Sequence, residues 1–573
     1  MINNFTRIAC VAMCFLWLMP CMDAPAQEPS TSLLPLFLPQ PRVQTAPLLS
    51  GVPDSQVLSQ RAPQALLQSG SELGTRGAIP AGSLGQISQS ALGAVTGDGH
   101  VKILRQIRAS LPSAVLQRVI HKLLIDQAFV RTSNQMERAR ALYALGYAAD
   151  AAGAVVEGFA KDVAERALSA SLLLAVRQNE QACAWADGKA LPKDAAPEPI
   201  FELLEILAFC KLEQGSRDAA FLVSDLLSEL GGSDALFFAA LKLAADGLGA
   251  LPESAKINRV RPIHMALLRR AGFSIDINMV DILDPALLAV VAQMSEVGQE
   301  VRIAATERAV SLGLLPAKLL ISLYETTARD ESLLTQVAAG VAPDGPLTRA
   351  HLFALIAEAA TPQDRLRFIL NLYEQAHQAG VASAVAEAIG EDAAGVTPDQ
   401  MIRSAAPLMV EILVRADRSR AALSWINLVE FPGASGAEEI SSFAVHRMHA
   451  LVSLSDPRLG VGVTAVALGT DARSGKLSKS IQAFVAREVV LAKALGDSVS
   501  SVLGGGSSGL QPPAPSVGAG SNVMAAIVPM AGQNIGGMDN QIIAAAASAL
   551  VRNGFDVEAR LMSVDALVSL SGK

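Results

Sequence analysis

Leu212-Glu213-Gln214-Gly215-Ser216-Arg217-Asp218-Ala219-Ala220 is the stretch that decides the fold. An apolar, helix-forming run ends at Gly215, and a second run opens with Ala220 five residues later. Glycine takes positive φ without steric penalty, so it permits the tight reversal of a helical hairpin. A small side chain at Ala220 lets the second helix approach the first. The same spacing joins Gly554 to Ala559, within Val551-Arg552-Asn553-Gly554-Phe555-Asp556-Val557-Glu558-Ala559. It also joins Asp417 to Ala422, with aspartate in the turn. A helical hairpin is predicted at each of the three places.

Outward from these turns the pattern stays helical, over residues 99–502. Ile103, Ile107 and Leu111, then Val115, Leu116, Val119, Ile120, Leu123 and Leu124, recur at helical spacing. Asp284-Pro285, Thr361-Pro362 and Thr397-Pro398 each set an N-cap residue before a helix-starting proline. Gly215, Gly313 and Gly380 sit where helices end. Composition agrees. The chain is 51% hydrophobic but only 4% aromatic, so alanine and leucine, strong helix formers, must fill the core. Residues 503–522, including Gly504 to Gly509 and Pro512-Pro513-Ala514-Pro515, read as a linker or loop. Residues 523–573 are helical again, above all Gln541 to Leu570. The expected fold is all-α, an α-solenoid or stack of helical hairpins.

The hairpin spacing resembles the tetratricopeptide repeat, whose units are helix pairs of about 34 residues. Leu142, Gly146 and Tyr147 are similar to the first-helix positions of that motif. The likeness covers isolated pairs and does not follow the family's period, so it implies a degenerate array that presents a curved binding surface. The chain also resembles alanine-rich secreted bacterial proteins often labelled antifreeze polyprotein. That likeness rests on alanine content and implies no activity.

The N-terminus reads as an export signal. One positive charge, Arg7, precedes the apolar run Ile8 to Met19, which is short for a bilayer span. Pro20 ends the run, and Ala24-Pro25-Ala26 predicts cleavage after Ala26, leaving a periplasmic or secreted chain. Cys21 makes a poor lipobox, because Pro20 stands where a small residue is required. No later stretch suggests a transmembrane segment in the mature chain. Residues 27–98, rich in Pro, Ser, Gln and Gly, read as a disordered leader. Within it, Leu33 to Leu38 is apolar enough to serve instead as a docking peptide. Cleavage removes Cys10, Cys14 and Cys21. Cys183 and Cys210 remain as a disulfide candidate, with two buried thiols as the alternative.

A formal net charge of −8 argues against nucleic acid as a partner, since binding it requires basic surface. It also disfavours an anionic membrane surface. Trp185 and Trp425 are too few for a stacking cleft. Gly504 to Gly509 matches both a nucleophile-elbow and a dinucleotide pattern, without the strand and helix that either requires. Gly469 to Lys476 has one residue too many for a phosphate loop, and Leu477 stands where a hydroxyl must meet magnesium. His446 and His449, with Glu439, fall short of a metal site and read as two surface histidines. The basic runs Lys102, Arg105, Arg108 and Lys256, Arg259, Arg261, Arg269, Arg270 read as solvated faces or docks for an acidic partner. No catalytic, cofactor or metal site is expected. The expected function is a non-enzymatic periplasmic scaffold or adaptor that binds an envelope protein. A secreted envelope hydrolase with a site assembled from distant residues, or an oligomeric structural component, are the other readings.

Overall fold

The computed structural model describes residues 97–126, 134–156, 162–187, 196–247, 249–253, 256–430, 440–459, 478–497 and 523–570. The signal-peptide and leader readings, the glycine-rich segment, Gly469 to Lys476 and Glu439 lie outside these residues. Among the described residues all regular structure is helical, as expected. The one strand-type pairing is an isolated parallel bridge, Val260 to Leu283.

Helices α1 (Gly97–Gln106) and α2 (Ala114–Ile125) lead into three hairpins: α3 (Gln135–Leu145) with α4 (Ala148–Val156), α5 (Val163–Ala175) with α6 (Asn179–Asp187), and α7 (Pro197–Glu213) with α8 (Arg217–Glu229). Next, α9 (Ala235–Asp246) packs on α10 (Pro262–Arg270), and α11 (Pro285–Ala292) on α12 (Gln299–Ser311). Helices α13 (Ala317–Glu325) and α14 (Glu331–Ala338) precede α15 (Pro346–Glu358), α16 (Pro362–Gln378) and α17 (Ala382–Ala394). Then come the hairpin α18 (Ala406–Arg415) with α19 (Ser419–Glu430), α20 (Ser442–Ser455), α21 (Lys479–Ala494), the single turn α22 (Val523–Ile527), and a last hairpin of α23 (Asn540–Arg552) with α24 (Asp556–Val568). Helices α5 to α10 enclose a smaller core around Phe209, Phe237 and Leu267. The others share a larger core that holds Tyr324, Tyr373, Trp425, Phe484 and Phe555.

One turn design recurs. Gly215, Asp417 and Gly554 have φ of +77°, +56° and +81°, and Ala220, Ala422 and Ala559 are each 0% exposed. Gly146, Arg177 and Gly380 build the same turn, with buried Ala151, Ala182 and Val385 five residues on. In all six, the residue after the left-handed position donates its N–H to the carbonyl five residues back, at 2.7–3.0 Å. That bond closes the first helix, as in a Schellman cap. The residue five positions on, alanine in five of the six and valine in the sixth, then donates its N–H to the carbonyl four residues back in the opening turn of the second helix. Its side chain points at the neighbouring helix, where bulk would hold the pair apart.

Two local expectations change. Gly146 caps α3 in the left-handed conformation, so Leu142, Gly146 and Tyr147 straddle a turn rather than sharing a first helix. Thr397-Pro398 starts nothing, because Asp399 caps the 3-10 turn Gln400–Ala405 with a bond from the Met401 N–H. Asp284 and Thr361 do cap α11 and α16 ahead of their prolines.

An open solenoid joins only neighbouring units. Here the hairpins stack, but α24 also packs against α2, as well as α18, α20 and α21. The Gly532 N–H donates to the Ser110 carbonyl at 2.9 Å, beside the same junction. Arg487 on α21 fastens the end of the chain. Its guanidinium donates to the carbonyls of Ile535 and Ala566 at 3.1 Å, to that of Met538 at 2.7 Å, and to Asn540 Oδ1 at 2.7 Å.

Candidate interaction surface

Several polar side chains inside this fold are committed to one another. Three of the four tyrosines share a carboxylate with an arginine. Tyr324 donates to Glu307 Oε1 at 2.6 Å, and Arg349 grips both oxygens of Glu307. Tyr373 donates to Glu411 Oε1 at 2.7 Å, with Arg447 on Oε2. Tyr143 donates to Asp284 Oδ2 at 2.7 Å, and Arg259 does so at 2.6 Å. Each trio pins elements that are distant in sequence, such as α12, α13 and α15 for the first. Burial, then the adjacent carboxylate, holds the Tyr324 hydroxyl well above its ordinary pKa, so it stays a neutral donor. Burial alone would raise Glu411, but Arg415 and Arg447 outweigh it and hold the carboxyl below the usual range. Glu307, Tyr324 and Glu411 are all buried, which suits a cross-tie.

His264 and Asp234 have the look of a catalytic dyad. Its Nδ1 accepts the Arg261 N–H at 3.1 Å, and its Nε2 lies 3.0 Å from Asp234 Oδ2. Both ring nitrogens are therefore occupied, and among the described residues no nucleophile bonds the imidazole. Arg261 bonds Glu205 and Asp234, Arg259 bonds Asp284, and Arg270 bonds Glu213. Lys256, Arg259 and Arg270 are exposed, as the solvated-face reading has it, while Arg261 is half-buried between its two carboxylates. Arg105 of the other run pairs with Glu137.

His446 and His449 are a correction. They are 4% and 5% exposed rather than on the surface. His446 Nε2 lies 2.7 Å from Glu488 Oε2, and His449 Nε2 lies 2.8 Å from Glu430 Oε1. Helix α20 packs against α18, α19, α21 and α24, so histidines three residues apart reach different partners. Among the described residues no group of three metal-ligating side chains converges.

A cavity of about 360 Å³ lies beside the Tyr324 pin, with Arg308, Arg349, Gln375, Ile277 and Val280 in its wall. Its described lining holds no hydroxyl, thiol, amine or imidazole side chain; it carries three carboxylates, Asp281, Glu307 and Asp344, of which Glu307 is held by Arg349.

The outer face of α8 differs from all of these. Ala220, Ser224 and Leu227 turn inward. On the other side Leu222, Leu226 and Leu230 are 70%, 43% and 50% exposed. Their spacing of four residues aligns them as one ridge along the helix. Cys183 and Cys210 form a disulfide, Cα–Cα 5.5 Å, that locks α6 to α7, the helix on which α8 packs. Gly215 and Ala220 mark the turn into α8, and the ridge lies on the helix's other side. A signal was present: Ala219, Ala220, Leu222, Val223, Leu226, Leu227 and Leu230 are more apolar positions than one core-facing stripe holds.

Comparison with protein-family models, with curated proteins and with solved structures returns no match.

Proposed function

We propose that this chain is exported and acts as a non-enzymatic helical scaffold of the cell envelope, binding a protein partner across α8. The observation that carries this reading is the Leu222–Leu226–Leu230 ridge. Single exposed apolar residues are ordinary on a soluble protein, whereas a row of them on one helix marks an interaction surface. The commitment of several buried polar groups to cross-ties supports the same reading. Export is supported by the N-terminal pattern that ends at Ala26 and by the Cys183–Cys210 disulfide, a bond that persists in oxidising compartments. Among the described residues no helix is long and apolar enough to cross a membrane.

The test is crosslinking of the tagged chain in its native envelope, beside a Leu226→Glu variant, with captured proteins identified by mass spectrometry. A small reproducible set of envelope proteins, lost in the variant, is expected. Capture of the same set by the variant overturns the reading, as does substrate turnover with no partner.

A further inference from the structure

On α8 the exposed leucines do not stand alone. Successive helical residues are 100° apart, so Asp218, Asp225 and Glu229 fall within a narrow arc beside the ridge. All three are exposed, and none makes an ion pair among the described residues. The adjacent arginine, Arg217, is committed to Asp246 on α9. Going round the helix, one meets the buried side, then the leucine ridge, then an acidic edge. An apolar row bordered by unneutralised carboxylates selects its partner by charge as well as by shape.

We infer that α8 receives an amphipathic helix of another protein, with aliphatic side chains at three- and four-residue spacing and Lys or Arg along one edge. This rests on the reading of α8 as a docking face. Leucines on a helix are met by the apolar face of a second helix, read as anchors at i, i+4 and i+7. Basic residues on that helix would meet Asp218, Asp225 and Glu229. A second copy fits poorly, because it brings the same three carboxylates, on a chain of net charge −8, to one interface. An anionic lipid surface fits poorly for the same reason.

The test uses the full chain and two synthetic helical peptides with identical leucine positions. One carries lysines along an edge, and the other carries glutamates there. Fluorescence anisotropy should show the lysine peptide binding at least tenfold more tightly, with a preference that shrinks as salt rises. Leu226→Glu should abolish binding of both peptides. The triple variant Asp218→Lys, Asp225→Lys, Glu229→Lys should favour the glutamate peptide. These residues lie outside the core, and circular dichroism with an intact-disulfide check should match the parent. Equal binding of the two peptides, or no binding, overturns the inference. So does flotation with phosphatidylglycerol vesicles, or a dimer by light scattering that Leu226→Glu dissolves. If Leu226→Glu loses its in-cell partners while the peptides are not discriminated, the docking face stands and the basic helix falls. If the variant keeps its partners, the docking face itself falls.

Discussion

Ser113 Oγ donates a 2.8 Å hydrogen bond to Asp565 Oδ2, across 452 positions of sequence. The same oxygen caps α2 by accepting the Val115 N–H. One small side chain thus starts an early helix and fastens it to the last one. Ser113→Ala removes the cap and leaves a half-buried carboxylate oxygen without its donor. A loss of about 2–3 kcal/mol is expected. Urea melts would measure it, and hydrogen exchange should show α24 opening first. Unchanged protection of α24 would count against the junction.

Glu307 offers a sharper case. Glu307→Leu strands the Arg349 guanidinium and the Tyr324 hydroxyl in the core, and about 3–5 kcal/mol of stability should go with it. The triple variant Glu307→Leu, Arg349→Met, Tyr324→Phe removes the stranded groups and should recover most of the loss. If the triple is as unstable as the single, the pin does more than satisfy its own members.

Two glycines with similar φ should respond differently to alanine. Gly215 has open space where a Cβ would stand, so Gly215→Ala should cost only about 1 kcal/mol, for the left-handed backbone. At Gly313 the added atom would lie 2.5 Å from the Ala114 carbonyl oxygen, and α2 would have to move. Gly313→Ala should therefore be clearly the worse of the pair in thermal melts. At the same type of turn Arg177 stands at φ +65°, and Arg177→Gly should raise stability by up to about 1 kcal/mol.

Loss of the disulfide, in a Cys183→Ser, Cys210→Ser double variant, should cost about 3–4 kcal/mol. The smaller core should soften while the larger one holds, which site-resolved hydrogen exchange distinguishes. Uniform loosening of both cores would show that they fold as one.

Acid should weaken the fold through its buried histidines. Burial holds His264 and His449 below the ordinary histidine value. Unfolded, they take up a proton near pH ~6.5. Between the two values the unfolded chain binds more protons, so their contribution is full above the unfolded value and fades as pH falls. Glu205 and Asp565, raised by burial, act in the opposite sense, since their contribution is lost as pH rises. The difference between the parent and His449→Gln isolates the histidine. Urea midpoints should converge as pH falls from about 7.5 to about 5.5. A widening gap would reverse the sign.

The hairpins at Gly215, Asp417 and Gly554 were legible because two cues coincide there, a residue that tolerates the left-handed region and a small one five positions on. The turn at Arg177 was not, since arginine announces no positive φ and the packing of α5 and α6 imposes it. The histidines were misread for a related reason. Polarity suggests the surface, but α20 is enclosed on several sides and each imidazole meets a carboxylate from another helix. The Ser113–Asp565 junction has no local trace, because nothing near either residue encodes a contact that distant. On α8 the excess of leucine was in plain view, and only the structure shows which of them the core leaves out.

Arg487 gives the molecule a check on its own completeness. Its charge has no carboxylate partner in bonding distance among the described residues; carbonyls and an amide from 535–566 satisfy it. A chain that stopped before Ile535 would bring α21 to the core with a bare cation and with the faces of α18 and α20 uncovered. Such a product could neither bury that residue nor close its core, and a protease would meet an open substrate. Finished and unfinished copies are thereby sorted by the fold itself.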